Sequence, residues 1–397
     1  MATNKEQNKL NVPHLRFPEF HGEWEKHGLS EYLDFKNGLN PDSKRFGKGI
    51  KFISVMDILN NPVITYDCIR VSVQATDAEI SSFSVENGDI LFQRSSETLE
   101  DVGRANVYID DKVAVFGGFV IRGKKKANYN PLFFRYLLSS PYARKRIIPM
   151  GAGAQHFNIG QEGLSKVSLN FPSIGEQAKI ASLLLLLDER IATQSKLIEK
   201  LESLIKGIVD CTILRKEKNA IVGDVCSISE QIRAEANIDD IITVRLHGNG
   251  VYKSSAENLQ LGATQYYRRR AGQLIYGKQN FHNGAIGIVP ISLDNGITSK
   301  DIPSFDIDEM KCNSVYLLAQ LQSPQYYKPA EALTTGTGSK RLKEETFLKM
   351  PIVLPNKREQ DNIAVLIHRA SMNLDHAKRL FELLSIQKQF LLRQMFI

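Results

Sequence analysis

The sequence has few of the residues that would announce chemistry. Its four cysteines, Cys68, Cys211, Cys226 and Cys312, are scattered over 397 residues, with no CxxC pair and no histidine at metal-ligand spacing. That spacing argues against a zinc site or a disulfide framework, and free thiols in a reducing cytoplasm are the simplest reading. The eight histidines form no HExxH pattern, and the acidic residues show no spacing that implies paired catalysis or a metal site. Apolar runs are too often interrupted by charge to span a bilayer. The opening residues, MATNKEQNKLNVP, lack the apolar core of a secretion signal, so a cytoplasmic location without membrane contact is expected.

Two near-motifs also fail. Residues 118–125, GFVIRGKK, approach a phosphate-binding loop, but Lys125 stands where a hydroxyl would hold magnesium, and 119–122 have the pattern of a strand. Asn130-Pro131-Leu132-Phe133 approximates the NPP[FY] signature of adenine N6-methyltransferases without its second proline, and no glycine-rich cofactor motif precedes it. It reads better as a helix start. Nothing in the chain asks for a cofactor, and an enzyme is the weaker hypothesis.

What the sequence does have is a repeat. Residues 172–210 begin PSIGEQAKIA and residues 355–397 begin PNKREQDNIA; Glu176-Gln177 recurs as Glu359-Gln360, a displacement of 359 minus 176, or 183. Behind each start, positions three and four apart keep one register. The first seam is Ile180, Leu184, Leu187, Ile191, Gln194, Ile198, Leu201, Ile205 and Ile208; the second is Ile363, Ile367, Ala370, Leu374, Ala377, Phe381, Leu384, Lys388 and Leu391. Two unrelated amphipathic helices would not share a register at one displacement. The spacing predicts two long helices that pack on each other, with Lys388 laying its stem in the seam and its ammonium in water.

Each helix follows a segment with the pattern of a compact mixed α/β domain. In the first half, residues 51–58, 89–94, 106–109 and 119–122 read as strands, 131–140 as a helix opened by proline, and 151–158 (GAGAQHFN) as a loop before a last strand at 168–171. In the second half 272–278 stands where 88–94 stood, Ser323-Pro324 matches Ser140-Pro141, and Gly336 to Lys340 (GTGSK) echoes 151–155 with a two-residue shift. The scaffold is duplicated while its surface diverges, as two modules reading different ligands would require.

A net charge of +7 is a thin excess over this length, so clusters matter more than the total. In the first half the candidates for nucleic-acid contact are Lys44, Arg45, Arg94, Ser95, Ser96, Arg104, Lys124, Lys125, Gln155, His156 and Asn158. In the second they are Arg268, Arg269, Arg270, Lys278, Gln279, Asn280, Ser339, Lys340 and Arg341. Cations neutralise phosphates, while arginine on guanine and asparagine or glutamine on adenine read base edges. Arg94, Gln155, Arg269 and Lys340 rank first, because they stand beside glycine-containing turns that a scaffold can aim.

With the two PxxxEQxxIA helix starts, the heptads behind them and Pro13-His14-Leu15-Arg16-Phe17-Pro18-Glu19-Phe20 before Trp24, the chain resembles the specificity subunits (HsdS) of type I restriction-modification systems. The resemblance implies a mixed α/β fold: two target recognition domains joined by two long helices in an antiparallel coiled coil, a pseudo-twofold internal repeat. It places a lead-in at 1–23, the first domain at 24–171, the first helix at 172–215, the second domain at 219–354 and the second helix at 355–397. It implies a non-catalytic subunit in which each domain reads one half of a bipartite, asymmetric target on double-stranded DNA. Two methyltransferase subunits using S-adenosylmethionine on adenine would dock on it, and two restriction subunits using ATP and magnesium could join them. A helical scaffold without base reading is the competing expectation.

Overall fold

The computed structural model describes residues 11–254, 264–336 and 340–397. The chain folds as two compact units, one made of residues up to Gln194 with Leu380–Ile397, the other of Ser195–Arg379. The first long helix, Ile174–Val209, begins in the first unit and ends in the second; the other, Lys357–Gln394, runs the reverse course. Each unit thus holds the start of one helix and the end of the other. In the first unit the Trp24 indole donates to the Glu176 carboxylate (3.3 Å) and packs edge-on against Phe396, while Asp188 further along meets Lys388. The two helices therefore run antiparallel there. No helix among the described residues is long and apolar enough to cross a membrane.

The sheets repeat as well. In the first unit β1 (Leu33–Asn37), β2 (Ile90–Gln93), β3 (Ala105–Val107) and β4 (Val120–Lys125) form an antiparallel sheet in the order β1-β4-β2-β3. In the second, β5 (Cys226–Ile228), β6 (Leu274–Tyr276), β7 (Ile286–Ile288) and β8 (Ser304–Ile307) follow the same path, β5-β8-β6-β7. The phosphate-loop look-alike is mostly β4, a strand that continues through the GKK residues, so no helix starts there as a phosphate loop would require.

A proline-opened helix (Pro131–Ser139) joins the first core, whose aromatic centre is Trp24, Phe133, Phe134 and Phe396. Its counterpart Ser314–Leu321 joins a core of Tyr276, Phe281, Phe305 and Phe347. Asn130 and Asn313, 183 apart, cap these helices, their side-chain oxygens accepting from Phe133 and Tyr316. The glutamine of each EQ pair completes the joint. The Gln177 carbonyl accepts from the Asn130 N–H (3.0 Å) and its amide donates to Pro172 C=O (3.0 Å); Gln360 does the same with Asn313 (2.9 Å) and Pro355 (2.8 Å). Both glutamines are buried.

The glutamates diverge. Glu176, 1 % exposed, takes two bonds from the Arg16 guanidinium (2.8 Å each) besides the indole. Glu359 instead pairs with Lys216 at the surface.

Two expectations are corrected. The strand expected over 51–58 stops at Ile53, because Ser54 and Asp57 form a capping box that starts the helix Val55–Asn60. The Lys388 ammonium is not in water: it pairs with Asp188 at 2.5 Å, and the same carboxylate accepts from Arg135 (3.2 Å) and Tyr136 (2.9 Å). At the corresponding places in the second unit stand Ile205, Ser371, Leu318 and Ala319, and a cavity of about 420 Å³ opens there, lined by Ile205, Ala319 and Ser371.

Glu176→Ala strands a largely buried guanidinium and an indole N–H, and should cost about 3 kcal/mol in denaturant unfolding. Gln177→Ala and Gln360→Ala each leave a backbone N–H without its acceptor, at about 2 kcal/mol. Hydrogen exchange should report each glutamine loss in its own unit alone, faster over 131–139 for the first and over 314–321 for the second.

Candidate nucleic-acid interface

The backbone at the end of β2 organises a group of loops in the first unit. The Arg94 N–H donates to Phe119 C=O (2.9 Å), Ile159 donates to Arg94 C=O (2.9 Å), and Ala152 and Asn158 exchange two bonds (2.9 Å each) that close the loop between them. The second unit repeats this bond for bond after β6. Lys278 donates to Asp301 C=O (2.9 Å), Leu342 donates to Lys278 C=O (2.9 Å), and Thr335 and Arg341 exchange the closing pair (3.0 and 2.9 Å).

The closed loops thus share one length. They align at the displacement of 183, Ala152 with Thr335 and Asn158 with Arg341. This removes the two-residue shift expected from GAGAQ and GTGSK: Gly153 matches Gly336, and both have positive φ, 145° and 125°. A Cβ on Gly153 would also lie 2.0 Å from the His156 carbonyl oxygen, so only glycine fits.

Several sequence candidates meet at the first loop group. The short strands Ser95–Ser96 and Phe157–Asn158 pair, with the Ser95 hydroxyl donating to the Asn158 carbonyl oxygen at 2.5 Å, and Gln155 and His156 stand exposed in the closed loop beside them. Arg94 is half-buried, its guanidinium donating to Gly118 C=O (3.2 Å). In the second unit Lys278, Arg341 and Asp301 come together: Arg341 pairs with the Asp301 carboxylate (3.1 Å) and Lys278 with Glu344 (2.7 Å). Gln279 and Asn280 follow, exposed. Ser339 lies outside the described residues.

Other candidates stand apart or are engaged. Arg45 pairs with Glu79 and holds that carboxyl down to about 2, and Lys44 is exposed next to it. Arg104 pairs with Asp101 (2.5 Å) and Lys124 with Glu86 (3.1 Å), while the Lys125 ammonium sits over the Tyr129 ring. Lys340 pairs with Glu331 (3.1 Å), whose pKa the ammonium lowers. Arg268 and Arg270 are exposed, and no hydrogen bond or ion pair among the described residues joins them to the Lys278 group.

Arg269 is a correction. It is 0 % exposed, its guanidinium donating to Thr298 (2.7 Å), Ser304 (2.9 Å) and the Ile302 carbonyl (3.0 Å), and burial pushes its pKa down to about 10. A side chain so enclosed ties the loops to β8 and cannot meet a base. Sequence reasoning also missed Phe119, taken as a strand residue, whose ring is 69 % exposed beside Arg94. Its signal was the Gly117-Gly118 pair, a turn that lifts the next residue out of the sheet.

The arrangement is two equivalent sockets of hydrogen-bonding side chains with different chemistry. Arg94, Phe119 and Asn158 in one stand where Lys278, Asp301 and Arg341 stand in the other. No cluster of metal-ligating side chains occurs among the described residues.

Comparison with known proteins gives the setting. Residues 21–203 match the type I restriction modification DNA specificity domain. The S subunit of a type I restriction-modification system from M. genitalium superposes with a TM-score of 0.64 at 13 % identity, covering 97 % of this chain and 99 % of that one. A chain from a structural study of the assembly and conformational transition of the type I R-M system gives 0.50 at 12 % identity, covering 93 % and 96 %. The HsdS subunit of Thermoanaerobacter tengcongensis gives 0.45 at 13 % identity, covering 93 % and 95 %. No curated protein sequence matches the chain. Residues 21–203 thus carry the type I restriction modification DNA specificity domain, and the fold of an S subunit extends along nearly the whole chain.

Proposed function

We propose that each unit's socket reads one half of a bipartite, asymmetric site on double-stranded DNA, with 24–171 and 219–354 as the two target recognition domains. The observation that carries this is the pair of bond-for-bond equivalent sockets with unlike side chains. One scaffold then presents two chemistries, which is what an asymmetric target demands. Arginine and amide side chains can make paired bonds to base edges, while Lys44 and other exposed cations offer charge to phosphates.

The long helices, 172–215 and 355–397, serve on this reading as the spacer between half-sites and as the seat of two methyltransferase subunits. Restriction subunits join that assembly. Leu186, Leu383, Ile386 and Phe390 are more than half exposed on these helices and give docking an apolar component. The chain itself is non-catalytic, and its partners supply S-adenosylmethionine, ATP and magnesium chemistry.

In a complex reconstituted with methyltransferase subunits, Arg94→Ala should relax one position of one half-site, and Arg341→Ala one position of the other, each by about 10- to 100-fold in discrimination. Methylation mapping on a randomised target library reads this directly; variants that disturb both half-sites together would refute separate reading. Lys44→Ala should weaken binding to every sequence and lower the salt slope by about one. The purified chain alone should show no methyl transfer, ATP hydrolysis or cleavage, and any of these activities would sink the non-catalytic reading.

A further inference from the structure

Phe119 is held in water by a rigid piece of backbone. Its carbonyl accepts from Arg94, the Gly118 N–H donates to Leu39 C=O (3.0 Å), and Val120 donates to Gly117 C=O (2.8 Å). The turn is also tightly packed. A Cβ on Gly118 would lie 1.8 Å from the Asn40 side-chain oxygen, and one on Gly117 would lie 2.6 Å from the Phe52 ring. A side chain at either glycine would force Asn40 or Phe52 to give way. Packing does not require the phenyl ring, because the equivalent residue of the second unit is Asp301, paired with Arg341.

The loop group to which it belongs is otherwise polar. Arg94, bonded to the Phe119 carbonyl, and Ser95 and Asn158, bonded to each other, offer donors and acceptors, and the Phe119 side chain can do neither. Base edges in the major groove present donors and acceptors at every pair, with one apolar exception, the 5-methyl group of thymine. An exposed phenyl ring in a loop group of hydrogen-bonding side chains complements a methyl group set among hydrogen-bonding base edges.

We propose that Phe119 is a specificity-determining residue that packs on the 5-methyl group of one thymine in the half-site read by the first unit. This rests on the DNA-reading function proposed above, and it names the chemistry of one contact within it. Stacking into an opened base step is the competing use of an exposed aromatic ring, but it needs no particular base.

Uracil tests it, since uracil keeps every hydrogen bond of thymine and lacks only the methyl group. The reconstituted complex would be titrated against duplexes carrying its methylation site, with each thymine in turn replaced by uracil. One replacement, in the first unit's half-site, should weaken binding by three- to fivefold, the effect of one buried methyl group. Phe119→Ala should bind the thymine duplex more weakly by at least that factor and lose the thymine–uracil difference. Phe119→Leu should keep part of it.

Thermal unfolding of both variants should match the parent, as the ring is exposed. A difference that survives in Phe119→Ala, a half-site with no sensitive thymine, or a loss confined to methyltransferase assembly would each overturn the proposal. Failure of the DNA-reading function looks different, because methylation then follows no bipartite sequence in the parent complex at all.

Discussion

A glutamine amide at the start of each long helix is the joint on which the architecture hangs. Gln177 and Gln360 each join three parts of the chain: the segment entering the helix, the helix itself, and the capped end of the helix before it. A buried amide satisfied on both sides fixes direction as well as distance, because its donor and acceptor ends cannot be exchanged. The long helix therefore leaves each domain along a defined line, and the sheet, the capped helix and the loop socket inherit that frame.

Around this constant joint the two units differ in how they fill space. The first invests in polar contacts: Glu176 with Arg16 and Trp24, and Asp188 with Arg135, Tyr136 and Lys388. The second has Ser371, Ala319 and Ile205 at the matching places and a cavity beside them. Buried ion pairs are poor sources of net stability but strong constraints on geometry when one partner is missing. The same backbone thus carries a charged network in one copy and a cavity at the matching place in the other.

The fold was largely legible because a displacement of 183 carries the helices, the caps and the proline helix starts together. The sockets were legible only in part. Arg94 and Asn158 could be picked out as polar residues beside glycines, but the loops GAGAQ and GTGSK each hold two glycines two apart, so two alignments look alike until backbone φ distinguishes them. Arg269 fell inside a run of three arginines that read as surface charge. The run Tyr266 to Arg270 shows no alternation of apolar and polar residues, so nothing local set its middle arginine apart. Lys388 looked like a seam defect because its partner, Asp188, lies 200 residues away in sequence, where no local pattern reaches.

The shared helices also set an order on synthesis. The Trp24 indole packs against Phe396, a residue made 372 positions later (396 minus 24), after the whole second unit has been translated. At roughly 5–20 residues per second, that is a wait of about 20 to 75 seconds during which the first core lacks its last aromatic wall. Chains interrupted late in translation would thus be flawed in the domain that was made first.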